Sequence, residues 1–248
     1  MAFLKTRGIV VKEVGTGEAD KIITIFSRSR GLITAMAKGG KRPRSQLSAG
    51  SQLMCYGEYV MFSGREIYQV NSCEVIEPFY EIRNDISKLT YAAHFMDIVL
   101  EIAQENQPSP RLLQLLLNCL YILAKTHKPP ELVSRVFELR ALSIAGYAPY
   151  VKNCMACGLE PEKFYSFSFF KCGFLCDRDK CAALDRTSLE ILPGTARAIQ
   201  HIVYAPMKEL FSFRISHEVS LELERICKRY LRERLERDFT KLDFLKNI

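Results

Sequence analysis

Residues Thr6 to Gly40 read TRGIVVKEVGTGEADKIITIFSRSRGLITAMAKGG, and this stretch decides the fold class. Thr6–Val14, Lys21–Ser27 and Leu32–Ala37 are rich in Val, Ile, Phe and Thr, which suit a pleated, half-buried surface. Gly15-Thr16-Gly17 and Arg28–Gly31 separate them with turn chemistry. Two further stretches of the same kind, Gln52–Phe62 and Ile67–Glu77, follow on either side of Ser63-Gly64. Five short strands in about 75 residues predict a small barrel, and the OB-fold is the commonest five-stranded choice. The connection 38–51 is the longest in this module. Its Gly, Pro and Ser content predicts a flexible, glycine-hinged arm without regular structure.

The start of that connection, AKGGKRPRSQ at 37–46, does not make a nucleotide-binding loop. A P-loop needs a glycine five positions before Gly40 and a Ser or Thr after Lys41, and those positions hold Ala35 and Arg42. What distinguishes the segment is charge. Residues 1–50 contain ten Lys and Arg against three acids, a net of +7 that equals the net charge of all 248 residues. The rest of the chain is balanced, so a polyanionic partner is expected at the N-terminal region.

After Pro78 the pattern turns helical. Ile86, Leu89, Ala93, Met96, Val99 and Leu100 repeat at helix spacing between Asp85 and Gln104. A second helix is expected over Arg111–Lys125 after Pro108 and Pro110. A third is expected over Glu131–Ala145, after Pro129-Pro130 and before Gly146. Thr187-Ser188-Leu189-Glu190 fits a capping box that opens a short helix. A final amphipathic helix is expected from His217 to Phe239, burying Val219, Leu223, Ile226, Tyr230 and Leu231. The apolar run Leu112–Leu123 is interrupted by Gln114 and Asn118 and is too short to span a bilayer. No secretory signal opens the chain, so a cytoplasmic location and no membrane partner are expected.

Of nine cysteines, Cys55, Cys73, Cys119 and Cys227 stand alone in apolar segments as small hydrophobes. The other five cluster. Cys154 and Cys157 form a pair with two residues between them, and Cys176 and Cys181 form a second pair after an 18-residue excursion. Two tight thiolate pairs are what a tetrahedral zinc ion takes, and four protein thiolates leave no open position, so one structural Zn²⁺ is expected. Cys172 either replaces Cys176 or Cys181 as an alternate ligand or stays a spectator thiol. A redox role for Cys154-x-x-Cys157 competes less well, because no βαβ unit surrounds it.

The pattern is therefore α+β: a five-stranded OB-fold barrel, then an α-helical bundle with an inserted four-cysteine zinc-binding loop. The corresponding domains are 1–80, 81–149 with 185–248, and 150–184. No catalytic constellation is visible. The motifs of zinc proteases, serine hydrolases and dinucleotide enzymes are all missing, and His94, His127, His201 and His217 are scattered. Glu18 and Asp20 are the one compact acid pair in the basic region, and turn capping or pairing with Lys21 suits them better than metal binding.

Taken in order, several segments resemble the bacterial RecO family of DNA repair and recombination mediators. They are Arg7-Gly8-Ile9-Val10-Val11, Gly17-Glu18-Ala19-Asp20-Lys21-Ile22 and Ala37-Lys38-Gly39-Gly40 with Arg44-Ser45. Further on come Gly146-Tyr147-Ala148-Pro149 before Cys154-x-x-Cys157-Gly158, Phe167-Ser168-Phe169 before Gly173-Phe174-Leu175-Cys176, and Lys241-Leu242-Asp243-Phe244-Leu245. The resemblance covers essentially the whole chain. It departs at Cys172-Gly173, where two glycines are expected, and in the wider spacing of the last cysteine pair.

The resemblance implies an OB-fold, a helical bundle and a zinc-binding loop. It implies binding to single- and double-stranded DNA, annealing of complementary strands, and help in loading the RecA recombinase onto DNA coated by single-strand-binding protein. The implied protein partners are RecR and the acidic C-terminal tail of single-strand-binding protein, with RecA indirect, in a bacterial, nucleoid-associated setting. On this basis the 1–80 domain binds DNA without sequence preference and without catalysis. Lys38, Lys41, Arg42 and Arg44 then meet phosphates, and Arg7, Lys21, Arg28 and Arg30 extend the patch. Tyr56, Tyr59 and Tyr68 are either stacking platforms or packing residues. Two rival functions are a zinc-dependent nucleic-acid-processing enzyme with an OB-fold substrate arm and a zinc-stapled protein adaptor.

Overall fold

In this computed structural model, residues 3–64, 67–160 and 164–247 are described. Five strands, β1 (Phe3–Thr16), β2 (Asp20–Ser27), β3 (Gly31–Ala37), β4 (Tyr56–Ser63) and β5 (Tyr68–Glu77), close into a barrel in the order β1-β2-β3-β5-β4. All contacts are antiparallel except the short parallel seam between β3 and β5, Ala35 to Tyr68 and Met36 to Gln69. This is the expected OB-fold. The long strand β1 serves both flanks, pairing β4 from Phe3 to Ile9 and β2 from Gly8 to Thr16. Its register shifts between Val10 and Lys12, where Val10 turns its backbone to Met54 and Cys55. Such a bulge bends a strand far enough to close a small barrel.

The barrel core holds Val10, Ile23, Ile25, Ile33, Ala35, Ala37, Leu47, Tyr59, Met61 and Val70. Each large aliphatic here contributes about 1.5–3 kcal/mol by leaving water. The connection after β3 is more ordered than its composition predicts. Consecutive turns lead into one helical turn, α1 (Leu47–Gly50), because Leu47 docks into the barrel core.

Four α-helices follow: α2 (Tyr80–Arg83), α3 (Ile86–Ile102), α4 (Pro110–Lys125) and α5 (Pro130–Ile144). Asp85 caps α3, its side chain accepting from the Lys88 amide at 3.1 Å. Proline opens both α4 and α5, where its missing N–H leaves no bond unmade.

The chain then forms a three-stranded sheet, β7-β6-β8, from β6 (Phe164–Ser168), β7 (Gly173–Cys176) and β8 (Leu189–Glu190), with the short helix α6 (Asp179–Ala182). Helices α7 (Pro193–Tyr204) and α8 (His217–Leu235) and a 3-10 turn, Lys241–Asn247, complete the chain. The capping box expected at Thr187–Glu190 is not one. The Thr187 hydroxyl donates to Asp185 at 2.7 Å, Leu189 and Glu190 pair with β6, and the helix starts at Pro193. The last helix stops at Leu235, four residues short of Phe239, because Glu236 adopts a left-handed conformation (φ 51°).

Packing divides the chain into two compact units, Met1–His127 with Lys241–Ile248, and Lys128–Thr240. These packing units cut across the expected segments 1–80, 81–149 with 185–248, and 150–184. In the first unit the barrel and the helices share backbone contacts. Leu32 donates its amide to the Gln104 carbonyl at 3.1 Å. Gly31 (φ 64°) lets that segment approach, since a Cβ there would lie 2.2 Å from the same oxygen. Lys241 reaches Asp97 of α3 at 2.7 Å.

In the second unit α5, α7 and α8 pack on one another. A buried ion pair joins Arg135 and Glu138 at 2.8 Å, and Ser134 also donates to Glu138. Phe167 lies edge-on to Phe169, Phe174 and Tyr230, packing the small sheet onto α8.

Candidate metal centre and nucleic-acid interface

The thiols of Cys154, Cys157, Cys176 and Cys181 lie within 4.8 Å of one another. Cys157 and Cys176 are 3.9 Å apart. Tetrahedral zinc–sulfur bonds of about 2.3 Å place sulfurs about 3.8 Å apart, so this cluster can hold a metal ion. Two turns bring the pairs together. The first folds back through Gly158 N–H to the Cys154 carbonyl and Cys154 N–H to the Leu159 carbonyl. The second leaves β7 at Cys176 and enters α6, which carries Cys181. Gly173 makes the close approach possible, because a Cβ there would stand 2.2 Å from the Tyr150 carbonyl oxygen.

The electrostatics of the cluster call for a cation. Burial works against ionisation of Cys154, but the backbone amides of Cys157, Cys176 and Ala156 outweigh it and bring the thiol down to about 6. Burial raises Cys176, and burial together with the neighbouring sulfurs pushes Cys181 up to about 12. The Cys154 thiolate is thus readily formed, while Cys176 and Cys181 resist until positive charge arrives.

Cys172 stands outside this group. Its sulfur contacts the Phe169 carbonyl at 3.5 Å and accepts from the Arg234 guanidinium at 3.2 Å. The isolated cysteines Cys55, Cys119 and Cys227 are buried, while Cys73 is partly exposed. Two neighbours were not legible in the cysteine spacing. Arg178 points its guanidinium at the Cys157 sulfur at 3.9 Å, and the Asn153 amide donates to the Gly158 carbonyl at 2.9 Å. The one hint in the sequence is their adjacency to ligands, Asn153 just before Cys154 and Arg178 two residues after Cys176.

The eight cations expected to meet DNA fall at the two ends of the barrel. The register that aligns Gly15 with Lys21 and Lys21 with Ala37 puts Lys21, Lys38, Lys41, Arg42 and Arg44 at one end. The register that aligns Gly8 with Ser27 and Ser27 with Gly31 puts Arg7, Arg28 and Arg30 at the other. Seven residue steps along β2 and its end separate Lys21 from Arg28, roughly 23 Å at 3.3 Å per residue.

Their side chains differ in availability. Arg28, Lys38, Arg42 and Arg44 are exposed and make no ion pair among the described residues. Arg7 is paired with Glu58 at 3.3 Å, a carboxylate that Lys5 also binds at 2.6 Å and holds below its usual range. Lys21 is only 16% exposed and pairs with Glu13 at 3.1 Å rather than with Glu18 or Asp20. Arg30 reaches Asn106 at 3.5 Å.

Lys41 turns back. Its ammonium donates to the Gly17 carbonyl at 2.7 Å, its amide donates to Ala19 at 2.9 Å, and the Asp20 carboxylate accepts from the Gly39 amide at 2.7 Å. These bonds hold the glycine-rich segment against the β1–β2 turn, in place of the free arm that its composition predicts. Asp20 therefore caps a turn, but one nineteen residues away, a pairing that sequence proximity does not reveal.

Of the three tyrosines, Tyr59 is fully buried, and its hydroxyl donates to the Gly50 and Cys55 carbonyls at 2.8 and 3.2 Å. It is a core residue, because its ring fills the barrel. Tyr68 packs partly against the same core, and Tyr56 is half-buried. Among the described residues no helix is long and apolar enough to cross a membrane.

The chain also matches known families along its length. Residues 1–79 match the family described as Recombination protein O N terminal, and residues 83–243 match Recombination protein O C terminal. A protein of Acetivibrio thermocellus named DNA repair protein RecO is 55% identical over 248 residues, which cover 100% of this chain and 98% of the relative. Proteins of the same name from Caldicellulosiruptor saccharolyticus and Alkaliphilus metalliredigens are 34% and 32% identical. They cover 100% and 99% of this chain, and 100% and 99% of their own lengths. With both family segments matched in order and with relatives of this identity along its full length, the chain belongs to the RecO family.

Proposed function

We propose that the protein is a non-catalytic mediator of DNA repair and recombination that binds single- and double-stranded DNA without reading its sequence. The observation that carries this function is the set of exposed, unpaired cations, Lys38, Arg42 and Arg44 at one end of the barrel and Arg28 at the other. Cations of this kind bind phosphates whatever the bases, and they release counterions when they do. Two basic ends on one barrel suit a protein that must hold two strands and reduce their mutual repulsion, so annealing needs no active-site chemistry. Membership of the RecO family supports the wider role, which is helping to load the RecA recombinase onto DNA coated by single-strand-binding protein. In that role RecR and the acidic tail of single-strand-binding protein are its protein partners.

The four clustered thiols would hold one structural zinc ion. Their closed tetrahedral set would supply cohesion to the segment between Cys154 and Cys181, and no bond is broken there. This assigns DNA contact to the barrel and stapling to the cysteine cluster.

The test is a salt series of gel shifts on single strands of unrelated sequence, together with an annealing assay run with and without EDTA. Equal affinity across sequences, a steep fall with salt and annealing without cleavage are expected. Strong sequence preference, or metal-dependent cutting of the strands, would overturn the assignment.

A further inference from the structure

A recess in the second unit lies at the first turns of α7 and α8, with a volume of about 440 Å³. Phe213, Ile215 and Val219 give it an apolar wall, while Arg197, Arg214 and His201 give it a basic one, and no acidic residue lines it. Most arginines placed by contacts in this unit are engaged: Arg135 with Glu138, Arg140 with the Ala205 carbonyl, and Arg229 with Glu233. Arg197 and Arg214 are exposed, and their guanidinium groups make no ion pair or hydrogen bond among the described residues. Two guanidinium groups without partners at one concave site await an anion.

His201 has a different task. Its Nε2–H donates to the Glu209 carbonyl at 2.9 Å, which holds the imidazole 4.7 Å from the Phe213 ring at 54°. The phenyl ring is thus fixed as part of the wall. The helix starts add a smaller contribution. Gly194 in the first turn of α7 and Ser216 at the cap of α8 line the recess, where helix N-termini favour negative charge. Ser216 already accepts the Val219 amide at 3.4 Å, so the arginines lead.

We propose that this recess binds one nucleoside phosphate, with the phosphate between Arg197 and Arg214 and the base against Phe213. A guanidinium fork matches phosphate oxygens in pairs, and every base has a flat face for an aromatic ring. The volume lies near the lower end of the range for small-molecule sites, which leaves room for one unit of a strand and not for a duplex. The unit comes either from a free nucleotide or from the phosphorylated end of a single strand. An acidic peptide would meet the same cations but would give the ring wall no planar partner. The site is separate from the barrel, so it stands or falls independently of the DNA-binding loop.

The experiment is calorimetric titration of the full chain with dAMP, inorganic phosphate, an acidic peptide, and short oligonucleotides with and without a 5′-phosphate. Saturable dAMP binding is expected. Arg197→Ala with Arg214→Ala should weaken it about tenfold or more, at an unchanged melting temperature. Changing both arginines to lysine keeps the charge and controls for folding, and should cost less. Phe213→Ala should weaken dAMP and leave inorganic phosphate unaffected, while the loop substitutions Lys38→Ala, Arg42→Ala and Arg44→Ala should leave dAMP binding intact. Tighter binding of the 5′-phosphorylated oligonucleotide assigns the site to strand ends, and equal binding assigns it to free nucleotides. Absence of dAMP binding, insensitivity to both arginines, or a bound acidic peptide that dAMP does not displace would each overturn the proposal.

Discussion

The Gly39 amide donates to the Asp20 carboxylate at 2.7 Å across nineteen residues of sequence, and this bond fixes the basic loop to the β1–β2 turn. A hydrogen bond to a charged acceptor contributes about 1.5–3 kcal/mol, less where water reaches it. Asp20→Ala should therefore cost about 1 kcal/mol of stability and free the segment from Lys38 to Gln46. DNA affinity should fall several-fold because the loop must then be ordered on binding, whereas the salt slope should hold because every cation remains. Gel shifts at four salt concentrations separate the two effects. A changed slope with unchanged affinity would contradict this role for Asp20.

Lys41 and its neighbours make a sharper contrast. Lys41 is already bonded to the Gly17 carbonyl, whereas Lys38, Arg42 and Arg44 are unpaired among the described residues. Replacing those three by Ala should reduce the slope of log affinity against log salt by about two to three, at 0.7 to 0.9 per phosphate contact. Lys41→Ala should change the slope by much less and should mainly loosen the loop. Equal slope changes for Lys41 and Arg42 would show that the Gly17 bond breaks when DNA binds.

The parts legible in the sequence were those governed by local pattern. Enrichment in Val, Ile, Tyr, Phe or Thr marks all five barrel strands, and the two cysteine pairs mark the cluster that the structure assembles. Features decided by distant partners were not legible. Thr187 carries a capping signature, but Asp185 two residues earlier takes its hydroxyl and β6 takes the strand that follows. The loop after β3 has the composition of a free arm, yet Leu47 finds the barrel core and Asp20 finds Gly39. The eight cations cluster along the chain, while the antiparallel register of β2 and β3 sends them to opposite ends.

The cysteine cluster and Cys172 are distinguished by metal content. Cys172 bonds to Arg234 outside the set of four thiols, so Cys172→Ser should retain one equivalent of metal, and Cys181→Ser should lose most of it. A chelator strong enough to strip the ion should lower the melting temperature, since binding to the folded state alone stabilises by mass action. DNA binding by the barrel should persist at temperatures where the second unit stays folded. Metal analysis and melting curves on the two variants and on the stripped protein check all three points. Loss of metal in Cys172→Ser would place that residue among the ligands.

Acid stability should report on Asp185. Burial would raise its pKa, but the Ser168 hydroxyl at 2.6 Å and the Thr187 hydroxyl and amide at 2.7 and 2.8 Å outweigh burial and hold it below the ordinary carboxylate range. A carboxyl depressed in the folded state binds its proton more readily when unfolded. Its contribution is therefore complete above the unfolded value of about 3.9 and is lost as pH falls through the folded value. Asp185→Asn keeps the shape but removes the charge that accepts these bonds, so it should cost about 1.5–3 kcal/mol at pH 7. The gap between variant and parent should narrow below about pH 4, where Asp185 of the unfolded parent begins to take up its proton, and close as pH falls through the lower folded value. Urea denaturation of the metal-free proteins at pH 7 and at about pH 3.5 measures this gap without interference from acid release of the metal. A gap that stays constant, or widens, on acidification would mean that Asp185 stabilises the segment by packing and not by its charge.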